Sequence, residues 1–316
     1  MKIAIAGSVL VDRINEIAAY PHEGELTQIR RVSRAVGGCV PNVAIDIKRV
    51  DPSLDVLAVG CVGRDDDAEF VISTLRENGV DTAGICHIDE TTSFTDVMSV
   101  AGGQRTFFTY PGACAVFGYE HVSPDTLEAD MLHLGYFLLL DKVDGGEGAK
   151  ILKRAQECGI RTSLDMVSEN SNRYHIVKAC LPYTDNLIIN ELEAGKLCGI
   201  EPTEDNLPAI AKAVKDMGVT ERVIIHTPAL SVCCSDNGCF SYPSIKLPAG
   251  FIKGTTGAGD AFCAGALIGI SRGLSESAIL DLASRAAVAS LTAPDSISGM
   301  RCEDEINCLY DSLTKI

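Results

Sequence analysis

The chain has 316 residues, 46% of them hydrophobic, enough for a sizeable core in one large domain or two ordinary ones. Its 27 Lys and Arg against 43 Asp and Glu give a formal charge of −16, which argues against nucleic acid or an anionic membrane as partner. No stretch approaches the roughly 20 apolar residues of a membrane span. The apolar start KIAIAGSVLVD ends at Asp12, too short for a signal peptide and suited to a first buried strand. Thirteen cysteines are scattered, odd in number and free of CxxC pairs, which predicts reduced thiols in a cytoplasmic protein. Six histidines form no HxxxH or Cys/His grouping that would suit zinc.

In chain order, Ile3 to Val9 reads as a buried strand. Arg13 to Val36 alternates polar and apolar residues around Pro21 and Gly24, and TQIRRVSRAV fits a one-sided, exposed strand. Gly37-Gly38 opens a helix over PNVAIDIKRV, with Pro41 in its first turn. A buried strand over Val56 to Val62 and a helix over Asp66 to Asn78 follow. SFTDVMSV and RTFFTYP then form a second alternating block, joined as a hairpin by a Gly102-Gly103 turn. Beyond Gly112, strands are predicted over Met131–Leu140, Arg161–Met166, Asn186–Ile189 and Arg222–His226. Helices alternate with them over Gly148–Cys158, Ser171–Ala179, Glu191–Cys198 and Leu207–Met217. Such alternation implies a parallel sheet covered on both faces. Ser231 to Ser241 reads as one more hairpin, and Leu274–Leu291 and Cys302–Leu313 as closing helices.

The chemistry concentrates in IKGTTGAGDAFCAGAL, Ile252 to Leu267. Gly257-Ala258-Gly259 leads into a helix of small residues, so free N–H groups and the positive end of the helix dipole form an anion site. Asp260 stands at that site, where a carboxylate can take a proton from a hydroxyl; anion hole plus base is what phosphoryl transfer to an alcohol requires. A helix start with an Asp cap is the plain alternative. Gly254 to Gly259 has the spacing of a Walker loop, but Asp260 and Ala261 replace its Lys and Ser/Thr. The first strand ends in GSVLVD and not GxGxxG, which excludes a dinucleotide fingerprint. Earlier, GGCVPNVA (Gly37 to Ala44) places Asn42 in the first turns of a helix, an amide suited to a sugar hydroxyl or to a backbone group. Asn190-Glu191-Leu192-Glu193 puts an amide and a carboxylate one helical turn apart, able to hold water around Mg²⁺ or simply to cap the helix.

GTTGAGDAF is similar to the D-T-x-G-A-G-D signature of the ribokinase-like (PfkB) carbohydrate kinase family, with Gly254 in place of the first Asp. GGCVPNVA resembles the family's first signature, Asp12 falls where the family places an Asp that binds two substrate hydroxyls, and the family's N-x-x-E is intact at Asn190 and Glu193. GCVGRDD (Gly60 to Asp66) and FTYPGA (Phe108 to Ala113) add support. The resemblance implies one ribokinase-like domain over residues 1–316: a three-layer α/β/α fold with a mostly parallel central sheet and a small β-lid from about 13–36 and 92–111. It implies transfer of the ATP γ-phosphate to a primary hydroxyl of a sugar or sugar derivative, with a nucleoside as the alternative acceptor that the lid aromatics Phe94, Phe107, Phe108 and Tyr110 keep open. In that reading Asp260 is the base and the N–H groups of Gly257, Ala258, Gly259 and Asp260 form the anion hole. Asn190 and Glu193 organise Mg²⁺ through water, and Thr227 and Thr256 join Gly257 and Gly259 around the nucleotide. Asp12, Gly37, Gly38 and Asn42 hold the acceptor, and Arg105 reaches a carboxylate or phosphate on it unless it is merely a solvated hairpin arginine.

The departures carry their own expectations. Leu10, Cys39 and Gly135 stand where ribokinases carry Asn, Lys and Glu, so ribose is not the preferred acceptor, and the space at Cys39 and Gly135 suits a bulkier one. Ala229 replaces the Gly of the Thr-x-Gly under the nucleotide, and Ala68 a Gly after the acidic turn. Gly254 offers no side-chain oxygen to a monovalent cation, so K⁺ activation is expected to be weak. The exposed edges and apolar faces of the lid predict a homodimer formed through it.

Overall fold

The computed structural model describes residues 1–100 and 105–314. Strand β1 (Lys2–Gly7) sends Ile3 and Ile5 into one core and Ala4 and Ala6 into another, the period of two that a strand buried on both faces requires. It is followed by β2 (Leu10–Ile17), β3 (Ile29–Gly37), α1 (Cys39–Val50), β4 (Asp55–Val62), α2 (Asp66–Glu77) and β5 (Asp81–His87). Next come β6 (Ser93–Val100), β7 (Arg105–Tyr110), the short helices α3 (Gly112–Val116) and α4 (Tyr119–Val122), β8 (Met131–Phe137), α5 (Gly148–Glu157) and β9 (Arg161–Met166). β10 (Asn186–Asn190), α6 (Glu191–Cys198), α7 (Leu207–Lys215), β11 (Arg222–His226) and the hairpin β12 (Leu230–Ser235) with β13 (Gly238–Pro243) complete the sheet. Helices α8 (Ala258–Ser271), α9 (Glu276–Ser290) and α10 (Glu303–Leu313) end the chain. Among the described residues no helix is long and apolar enough to cross a membrane.

The main sheet has the order β13-β12-β11-β10-β9-β8-β1-β4-β5, parallel except for the antiparallel β12 and β13 at one edge. Buried side chains of α1, α2, α8 and α9 make the core on one face, those of α3 to α7 the core on the other. This is the three-layer α/β fold that the alternation implied. A second sheet, β3-β2-β6-β7, carries the lid: β2 pairs antiparallel with β3 and parallel with β6, and β6 pairs antiparallel with β7. The expected Gly102-Gly103 turn lies outside the described residues, but the register Ser99 opposite Arg105 supports the pairing on either side of it.

Several elements differ from expectation, each for a local reason. The strand expected over Met131–Leu140 stops at Phe137, because Tyr136 and Leu138 take left-handed backbone angles (φ 60° and 79°). The helix expected from Ser171 is a run of 3₁₀ turns over Arg173–Ala179. β5, DTAGICH, was not expected; its Gly and small residues hide the strand pattern, and it pairs with β4 at the sheet's other edge. Cys234 and Cys239 face each other across β12 and β13 and are joined as a disulfide, which corrects the expectation of reduced thiols throughout; the other eleven cysteines are free.

Candidate active site

The strands of the main sheet deliver their C-terminal ends to one rim, and α8 begins there. Gly257 turns the chain with φ 80°, and a Cβ on it would lie 2.6 Å from Ser296, so glycine is required by both conformation and space. The N–H of Ala258 is bonded to Thr255 O (3.3 Å), leaving those of Gly257, Gly259 and Asp260 without an acceptor among the described residues. Asp260 is in the first turn of α8 and buried. Its Oδ2 accepts from Asn42 Nδ2 at 2.9 Å and from the Tyr136 hydroxyl at 3.0 Å. Burial first, then the negative charge of Asp165, push its carboxyl up to about 7, against the pull of those two hydrogen bonds.

Asn42 reaches this point because Gly38, at φ 88°, starts α1 against Ser8: the Ser8 hydroxyl accepts the Cys39 N–H (3.0 Å) and its carbonyl the Val40 N–H (3.1 Å). Asn42 Oδ1 in turn accepts from Ser296 Oγ at 2.9 Å. The amide expected to face a sugar hydroxyl thus also bridges Asp260 and Ser296. Gly37 keeps room for the neighbouring Asp12, whose Oδ2 would lie 2.7 Å from a Cβ there. Burial pushes the Asp12 carboxyl up to about 7 as well, with the Arg105 guanidinium pulling it back.

Arg105 is no idle hairpin residue. It donates to the Thr256 hydroxyl and to Pro294 O (3.3 Å), carrying the lid onto the loop before α8. Below that loop Gly254 is packed on Ala293 and Pro294, where a Cβ would meet backbone atoms at 2.8–2.9 Å. The space expected at Cys39 and Gly135 is not there. A Cβ at Gly135 would lie 1.9 Å from Cys39 Sγ, so the cysteine fills the room that the glycine frees.

At the end of β10, Asn190 and Glu193 cap α6 reciprocally. Asn190 Oδ1 accepts the Glu193 N–H (2.9 Å), and the buried Glu193 carboxylate accepts from Asn190 N (3.0 Å), Asn190 Nδ2 (2.9 Å) and Ser168 Oγ (2.8 Å). Burial pushes the Glu193 carboxyl up to about 7. Thr227 closes the β11–β12 turn, accepting from the N–H groups of Ala229 and Leu230 at 3.0 Å each.

Two cavities meet here. One of ≈ 190 Å³ is lined by Asp260, Tyr136, Asp165, Ser168, Asn190 and Glu193. The other, ≈ 440 Å³, is largely apolar, lined by Leu192, Ile245, Leu247, Val288 and Leu291 together with Thr227 and Ala258. Asn190, His226 and Gly259 belong to both. His226, tilted against Phe262 with ring centroids 4.8 Å apart, is pushed by burial down to about 4 and so is a neutral imidazole at the junction. The sequence reading missed Tyr136, Asp165, Ser168 and His226. All four lie at or just beyond strand ends (β8, β9, β9 and β11), the one positional signal that could have found them.

A buried carboxylate, a helix terminus with free N–H groups and an apolar cavity joined to them are the parts that phosphoryl transfer to a hydroxyl needs. Residues 2–301 match the family described as pfkB family carbohydrate kinase, and the chain belongs to it. It is similar to adenosine kinase of Saccharomyces cerevisiae, 29% identical over 84% of this chain and 80% of that protein. It is also similar to ribokinase of Arabidopsis thaliana, at 26% over 94% and 78%. In structure, Arabidopsis thaliana ribokinase complexed with ribose and ATP superposes with a TM-score of 0.81 at 21% identity, over 97% of each chain. The chain is accordingly an ATP-dependent kinase of a sugar or nucleoside hydroxyl.

Proposed function

We propose that residues 1–316 work as one kinase unit in which Asp260 takes the proton from a primary hydroxyl of a sugar or sugar derivative as the ATP γ-phosphoryl group is transferred to it. The observation that carries this is the buried Asp260 carboxylate, pushed up to about 7 beside N–H groups free to meet an anion. A base near the working pH balances availability against proton affinity. The apolar ≈ 440 Å³ cavity suits a nucleotide base, with Thr227 and Thr255 in its wall, while the expected Thr256 instead accepts from Arg105; the phosphates then lie over Gly257 to Asp260. The acceptor then lies between Asp12, Gly37, Gly38 and Asn42, under a lid built from about 13–36 and 92–111, with Arg105 above.

The floor of the smaller cavity, with oxygens from Glu193, Asn190, Ser168 and Asp165, fits a hard cation such as Mg²⁺. Bound there, Mg²⁺ would offset negative charge on the phosphates, while Glu193 and Asn190 hold its waters in place. Around Gly254, backbone and not carboxylate oxygens are at hand, which supports weak K⁺ stimulation. The acceptor reading keeps ribose out of first place, because the buried Leu10 and Cys39 offer no polar contact in place of an amide and an ammonium. With Cys39 filling the space at Gly135, a bulkier acceptor gains no support there. A nucleoside kinase is the second reading, which the lid aromatics Phe107, Phe108 and Tyr110 keep open. We also propose a cytoplasmic location, on the eleven free thiols, and a homodimer through the lid.

The test is ADP release across sugars, sugar acids, sugar phosphates and nucleosides, with the Asp260→Asn variant alongside. The variant is expected to lose roughly 10²- to 10⁴-fold in turnover. Near wild-type turnover would remove Asp260 from the role of base, and ribose as best substrate would overturn the acceptor argument.

A further inference from the structure

Behind the base lies a cluster of a different chemical character, drawn from four elements. Cys39 opens α1, His133 is in β8, Asp165 in β9 and Cys263 in α8, and all four are buried. One donor atom each from Cys39, His133 and Asp165 lies within 4.8 Å of the other two. His133 Nε2 is 3.2 Å from Asp165 Oδ2 and 3.6 Å from Cys263 Sγ, while its Nδ1 is fixed by Ser163 Oγ at 3.0 Å. Gly135 makes the convergence possible, since any side chain there would take the volume that Cys39 Sγ uses.

We propose that Cys39, His133, Cys263 and Asp165 form a site for a thiophilic divalent cation of the Zn²⁺ class, which shares Asp165 with the oxygen-lined floor but takes its other three ligands away from Asn190 and Glu193. Tetrahedral bonds of about 2.0–2.3 Å put neighbouring donors about 3.3–3.8 Å apart. Two edges of the cluster, His133 to Asp165 and His133 to Cys263, already have nearly that length, and Cys39 and Cys263 have to draw in towards the other donors as the ion binds. Two sulfurs and an imidazole select Zn²⁺ or Co²⁺ over Mg²⁺, which prefers oxygen and keeps its waters. The second nitrogen of His133 is held by Ser163, the outer-shell support that a ligating imidazole needs. Asp165 and Cys263 line the ≈ 190 Å³ cavity, which is the entry path. Occupancy suppresses turnover. Asp165 also accepts the Tyr136 N–H, and the Tyr136 hydroxyl is bonded to Asp260, so drawing Asp165 to a cation displaces the base's partner.

The probe is Co²⁺ added to chelator-treated, reduced protein. One equivalent is expected to give thiolate-to-cobalt charge-transfer absorption and the strong visible bands of a tetrahedral ion, both lost in Cys39→Ser and in Cys263→Ser and kept in Glu193→Gln. Zn²⁺ affinity, read by chelator competition, is expected to fall at least about tenfold in each cysteine variant. Should one of them not fold by circular dichroism, the other and His133→Gln carry the test. Absence of the bands in wild type, or their survival in the folded variants, would overturn the site. Zn²⁺ inhibition of Mg²⁺-supported turnover that is unchanged in the folded variants would overturn the link to activity.

Discussion

Asp260, Glu193 and Asp12 are all pushed up to about 7, with burial the leading cause in each, so this site holds three carboxyls that are protonated in mildly acid solution. For Asp260 the sign follows from its unfolded value near 3.9. The folded chain binds the extra proton between about 4 and 7, so the stability this group lends is present below its unfolded value and lost as pH rises through about 7. Asn does not titrate. Asp260→Asn is therefore expected to gain stability relative to wild type between pH 5 and pH 8, read as a widening gap in urea midpoints; a constant gap would contradict the burial argument. Tyr136 acts in the opposite sense, since its hydroxyl bonds the charged carboxylate. Tyr136→Phe should move the acid limb of the pH–rate profile to higher pH while the fold stands. An unmoved limb would make the tyrosine a packing residue only. Asp260 and Asn42 were legible because each sits in a glycine-led helix start. Tyr136 was not, because its left-handed turn breaks an apolar run that reads as continuous strand.

Among the elements, the lid is tied to the body at more points than its alternating pattern suggested. In the acidic turn before α2, Asp65 accepts from Thr92 N (2.8 Å) and Thr92 Oγ1 (2.6 Å) at the foot of β6. Asp67 pairs with Arg13 at 2.8 Å and Arg34 at 3.6 Å, on β2 and β3. Arg105 adds the contact to the loop before α8. Removing it as Arg105→Ala should lower kcat/KM by about 10- to 100-fold, the worth of a charge-assisted hydrogen bond of about 1.5–3 kcal/mol. An unchanged kcat/KM would return Arg105 to the solvated role. Periodicity found most of the main sheet and the lid strands, because buried parallel strands and one-sided strands leave plain patterns. It could not find which lid residues touch the body, since those contacts join segments far apart in sequence.

For the whole molecule, the lid leaves apolar surface in water: Val32 is 68% exposed, Phe107 57% and Phe108 58%, with Ile29 and Tyr110 beside them. A sheet of four strands with open edges at β3 and β7 gains from a second copy. Sedimentation is expected to give twice the 33.5 kDa chain mass at micromolar concentration, and Phe108→Glu to give the single chain. A wild-type protein found only at 33.5 kDa would end the dimer proposal. The seam between β2 and β6 has a separate consequence. It runs parallel, Leu10 opposite Ser93 through to Ile17 opposite Val100, with β3, α1, β4, α2 and β5 between the two strands in sequence. The hairpins β2–β3 and β6–β7 can each close in about 1–10 μs, but the seam has to wait until the elements between them have packed and met its loop-closure entropy. Refolding is therefore expected to finish at this seam. A chain interrupted before that last step carries two separate half-lids with bare strand edges, the species from which domain-exchanged pairs and aggregates would start.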